Sequence, residues 1–103
     1  MRKKMTGILE WLTGGPKVDA RELVQKGALL LDVRTREEYA QRHIPGAVNV
    51  PVQELAQRVA EVGSKTRTVV VYCRSGQRSG VARDLLLRAG FQDVVNLGSI
   101  NNW

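Results

Sequence analysis

The sequence predicts an α/β fold, with a mainly parallel central sheet flanked by helices. Three observations predict it. Residues 28–33 and 68–72 are short, nearly unbroken apolar runs, as suits strands buried on both faces. Around them lie stretches with apolar residues at helical spacing, closed by Gly27, Gly63 and Gly90. The two signals alternate along the chain, the pattern of parallel strands joined by helical crossovers. At 103 residues the chain amounts to one domain. A chain of this size buries roughly 60–70% of its unfolded surface, enough for a core without staples.

Each element has a local cause. Arg2, Lys3 and Lys4 resemble the basic start of a signal peptide, but Glu10 interrupts the apolar residues that follow and no small-x-small cleavage site appears. Met5, Ile8, Leu9 and Leu12 sit at helical spacing, which predicts an amphipathic arm over residues 1–16. Its short apolar face suits its own domain or a partner subunit better than lipid. Thr13-Gly14-Gly15-Pro16 is a linker, so the domain proper spans 17–103.

Asp19 with Glu22 is a capping-box pattern, and Val18 with Leu23 could staple it, predicting a helix over 20–26 that stops at Gly27. A strand over 28–33 follows. Thr35 and Glu38 form a second capping box, opening a brief helix through Gln41. Ile44-Pro45-Gly46 forces a turn, and 47–50 make a small strand. Pro51 opens a helix with Val52, Leu55, Ala56 and Val59 on one face, ended by Gly63. Residues 68–72 are the strongest strand, 73–78 a polar loop, and 79–89 a helix with Val81, Ala82, Leu85, Leu86 and Ala89 towards the core. A last strand covers 93–97.

Composition narrows the chemistry. Hydrophobic residues at 43% and charged residues at 25% are globular values that exclude whole-chain disorder. One cysteine excludes an internal disulfide framework and a multi-cysteine zinc site, and one histidine leaves little room for a histidine-rich metal centre. No apolar run approaches the ~18 residues of a membrane span. A net charge of +6 attracts anions of any size, although it equally serves solubility. Aromatic residues at 5% are too few for base stacking, which argues against nucleic acid.

The chemistry concentrates after the strongest strand. In open α/β sheets ligands bind at the carboxyl ends of strands, where helix N-termini point. Cys73 leaves the strand there, about five residues before the next predicted helix. Amides of such a loop can converge into an anion-binding nest, and Gly76 lets the chain curl. Arg74 and Arg78 add positive charge, and the combined effect of amides and arginines favours a Cys73 thiolate near neutral pH. A free cysteine is equally a small buried hydrophobe. The strand–cysteine–loop–helix setting with two arginines favours the nucleophile. Arginine at a helix N-terminus opposes the helix dipole, so Arg78 asks for a site reason.

These residues resemble the rhodanese domains. Asp32-Val33-Arg34, Glu38-Tyr39 and the stretch from His43 through Ile44-Pro45-Gly46-Ala47 to Pro51 are similar to the family's N-terminal signature. Val71-Tyr72-Cys73-Arg74-Ser75-Gly76-Gln77-Arg78-Ser79 resembles its active-site loop. Gly90-Phe91, Val95-Asn96-Leu97-Gly98 and Trp103 resemble its C-terminal motif, so the likeness runs from Val18 to Trp103. There are two departures. Arg42 stands where the family usually has glycine, a surface turn where little effect is expected, and Gly98-Ser99 replaces Gly-Gly, which bears on packing at the sheet edge.

The resemblance implies a sulfurtransferase that moves a sulfane sulfur from thiosulfate or a persulfide donor to a thiol or to cyanide. It makes Cys73 the sulfur carrier, and Arg74, Ser75, Gly76, Gln77 and Arg78 the loop that holds persulfide and anionic substrate. Asp32 and Arg34 support the sheet end, and His43 takes a structural position. No metal or organic cofactor is implied. The partners expected are a small anionic sulfur donor and a thiol or protein acceptor, and the arm leaves room for a homodimer. An exposed thiolate without a convincing signal peptide points to the cytoplasm. The alternatives are a non-catalytic or sulfur-relay module and, less favoured, a phosphatase or arsenate reductase. The resemblance disfavours the latter because Cys73 to Arg78 is C-x4-R, one residue shorter than the loop of phosphatases on this fold.

Overall fold

The structure, a computed structural model, describes residues 19–103. The expected arm over 1–16 and Val18's half of the staple lie outside the described residues. The elements run α1 (Ala20–Gln25), β1 (Leu29–Asp32), α2 (Arg36–Gln41), β2 (Val48–Asn49), α3 (Val52–Leu55), α4 (Val59–Val62), β3 (Val69–Cys73), α5 (Gln77–Arg88) and β4 (Val94–Ser99), closing in a 3-10 turn over Ile100–Asn102. The four strands lie in the order β2-β1-β3-β4, every pairing parallel. This is the α/β architecture that the alternation predicts.

The helix starts follow from capping. Asp19 accepts the Glu22 amide and starts α1. At α2 the box is reciprocal: Thr35 Oγ1 accepts the Glu38 amide, and the Glu38 carboxylate accepts the Thr35 amide. Such caps contribute about 1 kcal/mol each.

Strand alternation divides the core into two layers. Leu29, Leu31, Val69, Val71 and Cys73 face α3, α4 and α5, where Leu55, Val62, Ala82 and Leu86 meet them. Leu30, Val70 and Tyr72 face the other way, against Ala20, Ile44 and Ile100. β1 and β3 are fully buried, and each large side chain removed from water contributes roughly 1.5–3 kcal/mol. On the second layer's rim, Arg21 Nε donates to the Trp103 carbonyl at 2.9 Å and its guanidinium lies 5.4 Å from the Trp103 ring, tying α1 to the last residues.

Three expectations are corrected. The single helix after Pro51 is two short ones, because Arg58 leaves helical geometry at φ −117° and ψ 20°. Its guanidinium binds Glu54 on one side of the break and Glu61 on the other, at 2.8 and 2.7 Å. The break buries Leu55 and Val62 together and leaves Ala56 exposed, where an unbroken helix would have turned Ala56 inward. Helix α5 opens at Gln77, two residues earlier than expected. Its buried line is Ser79, Ala82 and Leu86. Val81 lies two residues on from Ser79, about 200° round the helix, and is 60% exposed.

Register then sets the site. Asp32 pairs with Tyr72, and a register shift between Val71 and Tyr72 lays Cys73 beside Ser99 on β4. The carboxyl ends of β1, β3 and β4 therefore meet at one edge, where Arg34, Cys73 and the final turn come together.

Candidate active site

Cys73 is the last residue of β3, and its pleat position turns it towards α5. The chain reverses within Arg74–Gly76 and enters α5 at once. Gly76 makes this possible with φ +101°, a left-handed conformation that strains any side-chain-bearing residue. The curl aims the Gly76 amide at Cys73 Sγ, 2.9 Å away. Ser79, buried in the first turn of α5, reaches the sulfur as well. The Cys73 thiol donates to Ser79 Oγ at 3.4 Å, and the Ser79 hydroxyl donates to the Gly76 carbonyl at 3.1 Å.

Burial pushes the Cys73 thiol up, but hydrogen bonds from the Ser79 hydroxyl and from the amides of Ser79, Gly76 and Ser75 outweigh it and hold the thiol below its ordinary value. On ionisation the Ser79 proton can swing from the Gly76 carbonyl to the sulfur, so the same hydroxyl serves thiol and thiolate. Ser79→Ala removes that donor. The ultraviolet absorbance of the thiolate is then expected to titrate at higher pH than in the unaltered protein; an unshifted titration would remove Ser79 from the role.

Arg78 takes a partner that spacing alone did not suggest. Its guanidinium makes a two-pronged ion pair with Glu38 of α2, at 2.7 and 3.1 Å. Those bonds hold the Glu38 carboxyl down at about 2 against the upward push of burial. The pair couples the start of α5 to the capping box of α2, so Arg78 braces the loop from outside. The thiol is held down by Ser79 and by the amides, and the charge of Arg78 acts on Cys73 as well.

The other expected residues gather at the same edge. Asp32 and Arg34 form a buried ion pair at 2.7 Å, and Arg34 Nη2 also donates to the Arg42 carbonyl at 2.6 Å. The Arg34 guanidinium lies 5.5 Å from the Tyr72 ring, and Tyr72 Oη accepts the Ile44 amide at 3.1 Å. Arg74, Ser75 and Gln77 are exposed, with Ser75 contributing its amide to the nest. His43 is exposed, stacks on Tyr39 and bonds its carbonyl through Nδ1 at 2.8 Å, away from the loop's hydrogen bonds. Cys73 itself has no exposed surface, where the sequence reading took an exposed thiolate. Beside the loop opens a cleft of about 330 Å³, walled by Arg34, Glu38, Arg42, Arg74 and Asn101 among others.

Sequence reasoning missed Ser79 and Glu38 as site groups. A hydroxyl one turn into the helix, on the line of Ala82 and Leu86, was the available signal for Ser79. Glu38 was already explained as a cap, which hid its second contact.

The family description Rhodanese-like domain matches residues 17–103. The chain belongs to the rhodanese-like family. This rhodanese-like domain is 41% identical over 73 residues to the thiosulfate sulfurtransferase PspE of Escherichia coli, covering 70% of each chain. It is 41% identical over 93 residues to a sulfurtransferase of Allochromatium vinosum, covering 84% of this chain and 86% of that one. Among solved structures, the human single-domain sulfurtransferase TSTD1 superposes with a TM-score of 0.76 at 32% identity, over 86% of this chain and 95% of that one. A rhodanese with anions from E. coli gives 0.71 at 38% identity, over 75% and 92%. The rhodanese-like domain is thus a member of a sulfurtransferase family with an all-parallel sheet. No helix among the described residues is long and apolar enough to cross a membrane.

Proposed function

We propose that the rhodanese-like domain is a thiosulfate or persulfide sulfurtransferase working by double displacement on Cys73. The observation that carries this reading is the Cys73 sulfur seated 2.9 Å from the Gly76 amide, in a nest that favours its thiolate. The thiolate attacks the outer sulfur of thiosulfate. A new S–S bond forms, the old one breaks, and its electron pair leaves with sulfite, so charge is conserved. The amides then hold the terminal sulfur of the Cys73 persulfide, as donors aimed at developing charge do in acyl-transfer sites. Arg74, Ser75, Gly76 and Gln77 frame the anion, Arg78 fixes the frame through Glu38, and Asp32 with Arg34 supports it. Because the loop covers Cys73, the exposed Arg74–Ser75 segment must give way for a donor to enter, which favours small donors.

Intact-mass spectrometry tests this. Thiosulfate is expected to add one sulfur, ~32 Da, and cyanide to remove it. A folded, reduced sample that gains nothing from thiosulfate or from a persulfide donor would overturn the reading. A second reading, relay of sulfur to a protein acceptor, is supported by 37% identity over 79% of this chain to a putative sulfur carrier protein, YrkF of Bacillus subtilis, of which the chain spans 41%. It uses the same Cys73 persulfide.

A further inference from the structure

The cleft beside the loop carries more positive charge than a small donor anion uses. Of its three guanidiniums, that of Arg34 is committed to Asp32 and to the Arg42 carbonyl. Its carboxylate, Glu38, is committed to Arg78 and Thr35. Arg42 and Arg74 remain. Among the described residues neither has a carboxylate within ion-pair distance, and Arg42 Nη2 makes only a 3.2 Å bond to Asn101 Oδ1. Both are exposed and both wall the same cleft. Arg74 directly follows Cys73, and the Arg42 main chain is held by Arg34 through its carbonyl, so both charges border the space beside the active-site loop. At about 330 Å³ the space lies at the lower end of the range for small organic ligands, roughly 300–1,000 Å³.

We propose that Arg42 and Arg74 form a carboxylate subsite for the sulfur acceptor, which is a small thiol bearing carboxylate groups. This rests on the sulfurtransferase reading above. Arginine's planar fork matches a carboxylate with paired hydrogen bonds, and two such forks suit a dicarboxylate. With its carboxylates held, the acceptor thiolate attacks the outer sulfur of the Cys73 persulfide. That sulfur forms a bond to the acceptor, the Cys73–sulfur bond breaks, and its electron pair returns to Cys73. Arg42 is therefore a specificity residue, where the resemblance suggested a surface turn of little effect. Its structural contribution is separable, because the carbonyl that receives Arg34 belongs to the main chain. At φ −167° and ψ 137° the backbone of Arg42 is extended and accepts any residue.

The experiment has a binding arm and a kinetic arm, with mercaptosuccinate as the dicarboxylate thiol and thioglycerol as a neutral thiol of similar size. In calorimetric titration of the resting protein, mercaptosuccinate is expected to bind and thioglycerol not to. Arg42→Gln should weaken that binding about tenfold, Arg42→Lys less, and added salt should weaken it in the unaltered protein. With thiosulfate as donor, the ratio of kcat/KM for the two thiols should fall about tenfold in Arg42→Gln. Equal binding of the two thiols by the unaltered protein, or unchanged binding and ratio in a folded Arg42→Gln, would overturn the subsite. The binding arm needs no persulfide. Selective binding without the sulfur adduct would sink the sulfurtransferase reading and leave the anion subsite standing; the adduct without selective binding would do the reverse.

Discussion

Cys73→Ser is expected to abolish sulfur transfer, by at least about a thousandfold, while the domain stays folded. Both halves follow from the same contacts. Sγ sits among a main-chain amide at 2.9 Å and the Ser79 hydroxyl at 3.4 Å, all of which serve a hydroxyl as well as a thiol. The smaller oxygen leaves little cavity, and no buried polar group loses its partner, so the stability change should stay within about 1.5 kcal/mol. Chemistry has no such tolerance. A serine hydroxyl is a far weaker nucleophile at neutral pH, and the nest cannot bring it near ionisation. Turnover with thiosulfate and cyanide, read beside a thermal unfolding curve, checks both halves. Retained turnover would move the sulfur carrier elsewhere, and since Cys73 is the single cysteine it would end the covalent mechanism.

The parts legible in the sequence are those with local causes. Asp19 and Thr35 cap helices because their side-chain oxygens reach amides three residues on, and Glu38 reaches back as far, which spacing alone reveals. The buried strands were legible because β1 and β3 are apolar on both faces, as only central parallel strands are. What spacing could not show came from contacts between distant segments. Arg78 and Glu38 are 40 positions apart, and nothing near either one announces the other. The break at Arg58 left no mark either, because the apolar periodicity runs through it and its ion pairs to Glu54 and Glu61 keep spacings that a continuous helix also shows. Val81 failed because it lies at the margin of the apolar arc, about 100° from Ala82 and about 140° from Leu86, while Ala82, Leu85, Leu86 and Ala89 meet the core as expected.

The site divides along the same line. Cys73 and Gly76 were legible because a strand end, a glycine and a helix start fall within a few residues. The amide nest was legible for the same reason. The buried Ser79 hydroxyl was not, because it meets the sulfur at 3.4 Å, beside the Gly76 amide at 2.9 Å, only once the loop has curled.

Arg34→Ala carries the largest expected cost to stability, about 3–5 kcal/mol, out of the roughly 5–15 kcal/mol that holds a domain together. The Asp32 carboxylate is wholly buried. It receives the Arg34 amide at 2.8 Å, Nε at 3.1 Å and Nη2 at 2.7 Å. Truncation leaves that carboxylate with one amide, and deprives the Arg42 carbonyl of its 2.6 Å donor. The unfolding midpoint should fall by more than about 12 °C. The cost belongs to the orphaned charge rather than to the pair, so removing both partners should hurt less than removing one. Asp32→Leu combined with Arg34→Met keeps volume, needs no counter-charge, and is expected to recover at least half of the loss. A double variant as unstable as the sum of its single changes would mean that the two residues act independently, and that the tie between the ends of β1 and α2 lies elsewhere. Activity gives a second readout. Arg34 walls the acceptor cleft and anchors Arg42, so the double variant, though folded, should lose preference for mercaptosuccinate over thioglycerol while still accepting sulfur at Cys73.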